Sequence, residues 1–353
     1  MKLTRRTFLS LAGLATLGIT TPACRRMLWQ ILVSPKATPS PPPAPASNPF
    51  TSGGKSLVAM VHGRNATAMV RRAVELIGGI EPLGLRGART LLKPNAVSGE
   101  PPPATTDPRV VRAVAELVRE AGVSSLAVGD MSALRALPTR PNLEQTGFAE
   151  AAAEVDAELL AFDEGEWVEI EPPGAEFATR VYVAKAAYEA ERLVSIPVIK
   201  THQDASFSCA LKNTVGCVHG RNKPWSYGSA AWEPTVAELN LAVRPDFFVV
   251  DGLQSMVRGG PWSGEAAPTN VILASGDPIA TDVIALGVIK AFGRWEPVTA
   301  KGIWEQRQIQ RAIALGLGAQ GPREVELRVD DLTGADSDFI RLVDTIRRQA
   351  GLS

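Results

Sequence analysis

From about residue 55 onward, short runs of aliphatic and β-branched residues alternate with stretches whose apolar positions recur every three or four residues. The runs predict strands at residues 57–61, 90–92, 125–128, 192–196, 247–250 and 271–274, with helices between them. Strands alternating with helices imply an α/β fold, a mostly parallel sheet covered by helices. The clearest helix lies in "TTDPRVVRAVAELVREAGV": Asp107 suits the cap, Pro108 the first turn and Gly122 the exit, and Val110, Val111, Val114, Leu117 and Val118 form one apolar face. A second helix is expected over residues 206–218, with Phe207, Ala210, Leu211 and Val215 apolar and Lys212-Asn213 near its end. The pattern breaks at residues 163–180, where acidic and Pro/Gly-rich sequence marks a second subdomain or an insertion.

Polar residues that end apolar strands are the candidates for function, because open α/β sheets bind ligands at the carboxyl ends of their strands. Lys93 and Asn95 follow Leu92; Asp130 follows Val128; Lys200 and His202 follow Ile199; Asp251 follows Val250; Asp277 follows Ala274. Asp130 and Asp277 also suit plain helix caps, Asp277 especially because Pro278 comes next. Lys93, Lys200 and Lys212 are harder to explain as structure, since a lysine beside buried-looking sequence needs a partner. They either pair with Asp130, Asp251 and Asp282 or meet an anion together. In the second case the lysines supply point charge, Asn95 and Asn213 orient the ligand, and His202 works as base or metal ligand. Lys200, His202 and Asp251 are then the catalytic candidates, and His202, Asp251 and Asp282 the metal candidates. The segment "VRGGPWSGEAAP" offers Gly259 and Gly260 as an anion cradle or a mobile lid, and lacks the pattern of a P-loop or a dinucleotide fingerprint. Trp225, Trp232 and Trp262 flank these loops and either stack on a ligand ring or fill the core.

The first 54 residues are of another kind. Thr4, Arg5 and Arg6 precede Phe8, Leu9 and an uncharged apolar run, as in a twin-arginine export signal over residues 1–26. Cleavage after Ala23, lipidation at Cys24 and retention as an anchor all stay open. Residues 27–54 hold seven prolines between Pro35 and Pro49 and read as an extended spacer, ahead of a folded body over residues 55–353. The translocase would be a partner during export, leaving the protein periplasmic or at the cell surface with the membrane touched only through its N-terminus.

Formal charge is zero, but no acid precedes Glu75, so residues beyond 26 carry 32 basic against 37 acidic groups, which excludes a nucleic-acid binder. Outside the signal only Cys209 and Cys217 remain, without the spacing of an iron–sulfur site; a disulfide or burial as small apolar residues accounts for them, burial being the expectation. HExxH, GxSxG and CxxC motifs are absent.

The pieces "LLKPNAV", "VVRAVAELVREAGVSSLAVGD", "LVSIPVIKTH", "ALKNTVG", "VVDGLQSMVRGGPWSG" and "VILASGDPIATDVIALGVI", spread over residues 91–289, resemble the family known as domain of unknown function 362. The resemblance implies an α/β body but names no reaction. This chain departs from it in having no histidine over Trp225 to Trp232, where members carry one after the Lys-Asn segment, His219 lying earlier, and in lacking the ferredoxin cysteines of fused members. The layout of Lys and His at a crevice is also similar to that of lactate-racemase-type proteins, which use a nickel-bearing nucleotide. The expected function is that of an exported enzyme holding a small anionic substrate, an anionic organic cofactor or a metal. The alternatives are a tethered protein that binds such a ligand without turnover, and a salt-bridge network that only holds the sheet.

Overall fold

The computed structural model describes residue 30 and residues 33–44 and 47–352; Thr4, Arg5, Arg6 and Cys24 lie outside the described residues. Besides the short strand Thr51–Ser52, the strands of the main sheet are β1 (Lys55–His62), β2 (Arg89–Pro94), β3 (Ser125–Asp130), β4 (Glu158–Ala161), β5 (Arg192–Ile196), β6 (Val198–His202), β7 (Ser206–Ser208), β8 (Phe247–Gly259), β9 (Gly264–Ala267), β10 (Val271–Ser275) and β11 (Val325–Asp331). Their order is β11-β1-β10-β8-β5-β2-β3-β4. Every neighbouring pair on that path is parallel except those made by β10, so the expected mostly parallel sheet is present. β6 runs parallel to the outer half of β8 and antiparallel to β7, while β9 folds back on β8.

Both faces of the sheet are covered, and alternate side chains of each strand serve different cores. Leu57, Ala59 and Val61 of β1 pack with Met69 and Val70 of α1 (Ala66–Leu76) and with Val111, Val114 and Val118 of α2 (Pro108–Glu120). Further helices are α3 (Ala210–Asn213), α4 (Trp232–Leu239), α5 (Pro278–Phe292), α6 (Arg307–Ala314) and α7 (Ser337–Ala350). Val58 and Met60 of β1 face the other way, onto Val283 and Ile284 of α5 and Ile346 of α7. The caps read from sequence are in place: Asp107 accepts from the Arg109 amide at 2.9 Å, Gly122 sits at φ +83° beyond α2, and Asp277 accepts from Ile279 and Ala280 at the head of α5.

Three local expectations need correction. Residues 206–218 are not one helix: β7 pairs with β6, α3 is a single turn, and Thr214–Cys217 is a tighter turn. Tertiary bonds override the apolar spacing there, because the Gln308 side chain of α6 donates to the carbonyls of Ala205 and Phe207, and Ser206 sits at φ +62°. Residues 257–268 are not a free loop but the turn of the β8–β9 hairpin. The proline-rich spacer is partly docked: Ala37–Pro39 pairs with Trp167–Ile170, which pairs with Val181–Ala184, forming a three-stranded sheet at the predicted break. The ordered body also reaches below residue 55, since Phe50 is buried against Phe247 with ring centroids 4.9 Å apart. Cys209 and Cys217 are free and buried.

Candidate functional site

The carboxyl ends of β2, β3 and β6 open onto a cavity of about 390 Å³ whose walls are completed by α3, the turn after it and the β8–β9 hairpin. Parallel pairing sets the floor: register places Lys93 of β2 beside Ser195 of β5. Lys93 Nζ pairs with Asp130 Oδ1 at 2.6 Å and donates to the Pro94 carbonyl at 2.8 Å, with both charged groups almost fully buried. Asp130 is held in turn by the amides of Ala96 and Met131. Asn213 donates to the Lys93 carbonyl and Ser195 Oγ, and its Oδ1 accepts from Asn95 Nδ2 at 3.2 Å. Asn95 Oδ1 accepts from Lys200 Nζ at 2.8 Å, and Lys200 gives a second bond to the Ala104 carbonyl. Burial, with Lys212 and Lys93 nearby, holds the Lys200 amine well below the usual lysine range.

Above this floor the chemistry is less saturated. Lys212 is half-buried in the cavity wall and makes no hydrogen bond or ion pair among the described residues. Desolvation and the charge of Lys223 bring its pKa down to about 7, against a weaker opposing pull from Asp204. Lys223 is buried and, among the described residues, donates to the Val215 carbonyl alone; desolvation brings it to about 8, against an opposing pull from Asp130. His202 accepts from the Asp204 amide at Nδ1, which leaves its proton on Nε2, and burial keeps the ring neutral. Trp232 lies 5.7 Å from the His202 ring, and Trp262 closes the rim beneath the Arg135 guanidinium, 4.4 Å from its centroid. Both tryptophans line the cavity and are half-buried, so neither is a plain core residue. Among the described residues, Lys212, Lys223 and Arg135 have no carboxylate within ion-pair distance, and the lining sets Lys93, Arg135, Lys212 and Lys223 against Asp130 and Asp204, a surplus of basic groups.

The predicted site residues thus divide. Lys93, Asn95, His202, Lys212 and Asn213 line one cavity, and Lys200 braces it through Asn95. Asp251 and Asp282 are elsewhere. Asp251 accepts from the amides of Asp107 and Leu253, tying the start of α2 to β8; Asp282 accepts from those of Ala210 and Leu211, anchoring α3 on α5. Both carboxylates are engaged by backbone amides away from the cavity, so Asp251 is not a partner for His202, and the pairing of Lys200 and Lys212 with Asp251 and Asp282 does not occur. Among the described residues no group of three or more His, Cys, Asp or Glu could hold a metal ion, which removes the His202, Asp251 and Asp282 metal set. Gly259 and Gly260 are hairpin-turn residues at φ +90° and +87°, and a β-carbon at Gly260 would collide with the Thr201 carbonyl; the hairpin gives Pro261 and Trp262 to the cavity instead. His219 does not line the cavity; it lies edge-on to Trp167 and caps the turn at Arg221, with burial and the charge of Lys223 pushing its pKa down to about 4.

Sequence reasoning missed Lys223, Arg135 and Gly216. Lys223 and Arg135 lie in turns with no apolar strand beside them, so no local pattern marks them. Gly216 is needed because a β-carbon there would overlap the Asp130 carboxylate and the Lys93 amine; the "KNTVG" spacing is its one sequence trace.

A sequence model of the family described as Domain of unknown function (DUF362) matches residues 90–287. The thylakoid-associated protein sll1697 of Synechocystis sp. is 28% identical over 268 residues, covering 73% of this chain and 80% of its own length. Among solved structures, the lactate racemase apoprotein from Thermoanaerobacterium thermosaccharolyticum aligns over 86% of this chain and 91% of its own, at 11% identity and a TM-score of 0.37.

Proposed function

The chain belongs to the DUF362 family, and since that description carries no activity, we propose from the site itself that the protein is an enzyme acting on a small organic anion. One observation carries this reading: Lys212, Lys223 and Arg135 face one cavity without a carboxylate partner among the described residues. Unpaired cations in a half-enclosed site are costly to hold and become favourable when an anion fills it. The Asn95–Asn213–Lys93–Asp130 network fixes the floor, so the ligand meets a preformed surface. His202 presents Nε2–H as a hydrogen-bond donor, which replaces the general-base role expected of it, and Trp232 with Trp262 supplies apolar contact.

Titration calorimetry with inorganic phosphate and with benzoate tests this. Both are expected to bind, and Lys212→Met or Lys223→Met is expected to weaken each by about tenfold or more, the worth of one charge-assisted hydrogen bond. Absence of binding by either probe would sink the anion site.

Export by the twin-arginine route belongs to the same proposal and rests on Thr4-Arg5-Arg6 and the apolar run after them. The thylakoid association in the Synechocystis relative's name supports a location near a membrane, and among the described residues no helix is long and apolar enough to cross one. Changing Arg5 and Arg6 together to Lys should leave the protein in the producing compartment; unchanged fractionation would reject the route.

A further inference from the structure

The cavity lysines differ in what their amines can bond to. Lys93 has Asp130 and the Pro94 carbonyl, Lys200 has Asn95 and the Ala104 carbonyl, and Lys223 has the Val215 carbonyl. Lys212 has no acceptor among the described residues. An ammonium carries three N–H donors and has nothing to give the environment except those bonds. A neutral amine needs none of them and keeps a lone pair for chemistry. Of these four lysines, Lys212 is the one whose amine no protein acceptor among the described residues engages, and desolvation with the charges of Lys223 and Lys93 eases its deprotonation against the pull of Asp204.

An amine that titrates about neutrality and is committed to no acceptor is available to attack as a nucleophile. We propose that Lys212 is a nucleophilic amine that forms an imine with a small oxo acid, a molecule carrying a ketone or aldehyde together with a carboxylate. This rests on the anion site proposed above: the carboxylate answers the charge of Lys223 and Arg135, and the carbonyl answers the free amine. The Lys212 Nζ lone pair forms a C–N bond to the carbonyl carbon while the C=O π pair moves to oxygen, which takes one proton from the nitrogen. The remaining N–H proton then passes to the hydroxyl as the C–O bond breaks, C=N forms and water leaves. No electrons are gained or lost, and water is the one by-product. His202, through Nε2–H, donates to the carbonyl oxygen and polarises it for attack.

The experiment uses the folded full chain with pyruvate and, separately, 4-oxopentanoate, each with sodium borohydride to trap any imine as a stable secondary amine, followed by peptide mass spectrometry. The adduct is expected at Lys212, faster than at solvent-exposed Lys301 by at least about tenfold at neutral pH, and absent in Lys212→Met. Inorganic phosphate should protect Lys212 and not Lys301. If neither oxo acid labels Lys212 ahead of Lys301, the imine is overturned. Should phosphate and benzoate still bind in that case, the anion site stands and only the covalent step is lost; should they not bind, both readings fall. Mapping the site in the unaltered chain keeps the test decisive even if Lys212→Met does not fold.

Discussion

Buried carboxylates and buried lysines sit in the same sheet under opposite treatment. Asp251, Asp277 and Asp282 lie in the core, and every one of them is met by backbone amides: those of Asp107 and Leu253, of Ile279, Ala280 and Ala319, and of Ala210 and Leu211. Each ties two separate elements together, and none opens onto the cavity with the lysines. Lys212 and Lys223, by contrast, line open space with no charge partner, although the chain could have placed a carboxylate there as it did beside Lys93. A charge that the fold has satisfied is evidence of architecture. One that the fold leaves unsatisfied, at a place a ligand can reach, points to function, because selection for stability alone would have paired or removed it.

The largest effect expected from breaking this contrast lies at the one pair that belongs to both classes. Lys93 and Asp130 line the cavity and yet are almost fully buried and bonded to each other. Lys93→Met should cost about 3–5 kcal/mol, since it strands the Asp130 carboxylate in the interior. Gly216→Ala, which forces a β-carbon against both groups, should cost about 1–3 kcal/mol. Denaturant midpoints measure both, and the double variant Lys93→Met/Asp130→Leu should recover much of the single loss. A Lys93→Met protein as stable as the parent would move Lys93 out of the architectural class and in with Lys212.

Much of this contrast is legible in the amino-acid sequence. The sheet strands and α2 follow from apolar runs and caps because their signals are local: Asp107, Pro108 and Gly122 act within a few residues of where they stand. The strand-end rule collects Lys93, Asn95 and His202 for the same reason, each being adjacent to the strand that delivers it, whereas Lys212 and Asn213 fall within the helix expected over residues 206–218 and reach the cavity from a single turn instead. What the rule does not do is separate Asp251 and Asp282 from them. That separation depends on which backbone amides from sequence-distant elements reach a carboxylate first, a matter of tertiary register. Residues 206–218 depart from their helical spacing on similar grounds, since the bonds from Gln308 come from about a hundred residues away. Arg135 and Lys223 leave no trace because turns carry no periodicity to violate.

A smaller effect sharpens the comparison through pH. An unfolded chain protonates Lys212 near 10.5, whereas the folded site brings it to about 7. Between those values the unfolded state holds a proton that the folded state does not, so this lysine makes stability rise with pH from about 7 to 10.5; below about 7 both states are protonated and the full cost is present. The carboxylates run in the other direction: burial raises Asp251 and Asp282 from 3.8 to about 7, so the folded state keeps protons that the unfolded chain has released, and their contribution falls as pH rises from about 4 to 7. The two classes therefore write on separate windows. Lys212→Met should remove part of the slope above pH 7 and leave the window below it unchanged, and taking the difference from the parent cancels all other titrating groups. Because an anion favours the ammonium, phosphate binding at pH 8 should draw protons from the buffer, seen as a binding enthalpy that changes with the buffer's heat of ionisation, and Lys212→Met should diminish that uptake. A Lys212→Met difference that stays flat from pH 7 to about 10.5 would mean that the folded protein holds the amine as an ordinary ammonium, and the distinction between satisfied and unsatisfied charge would fail at its central residue.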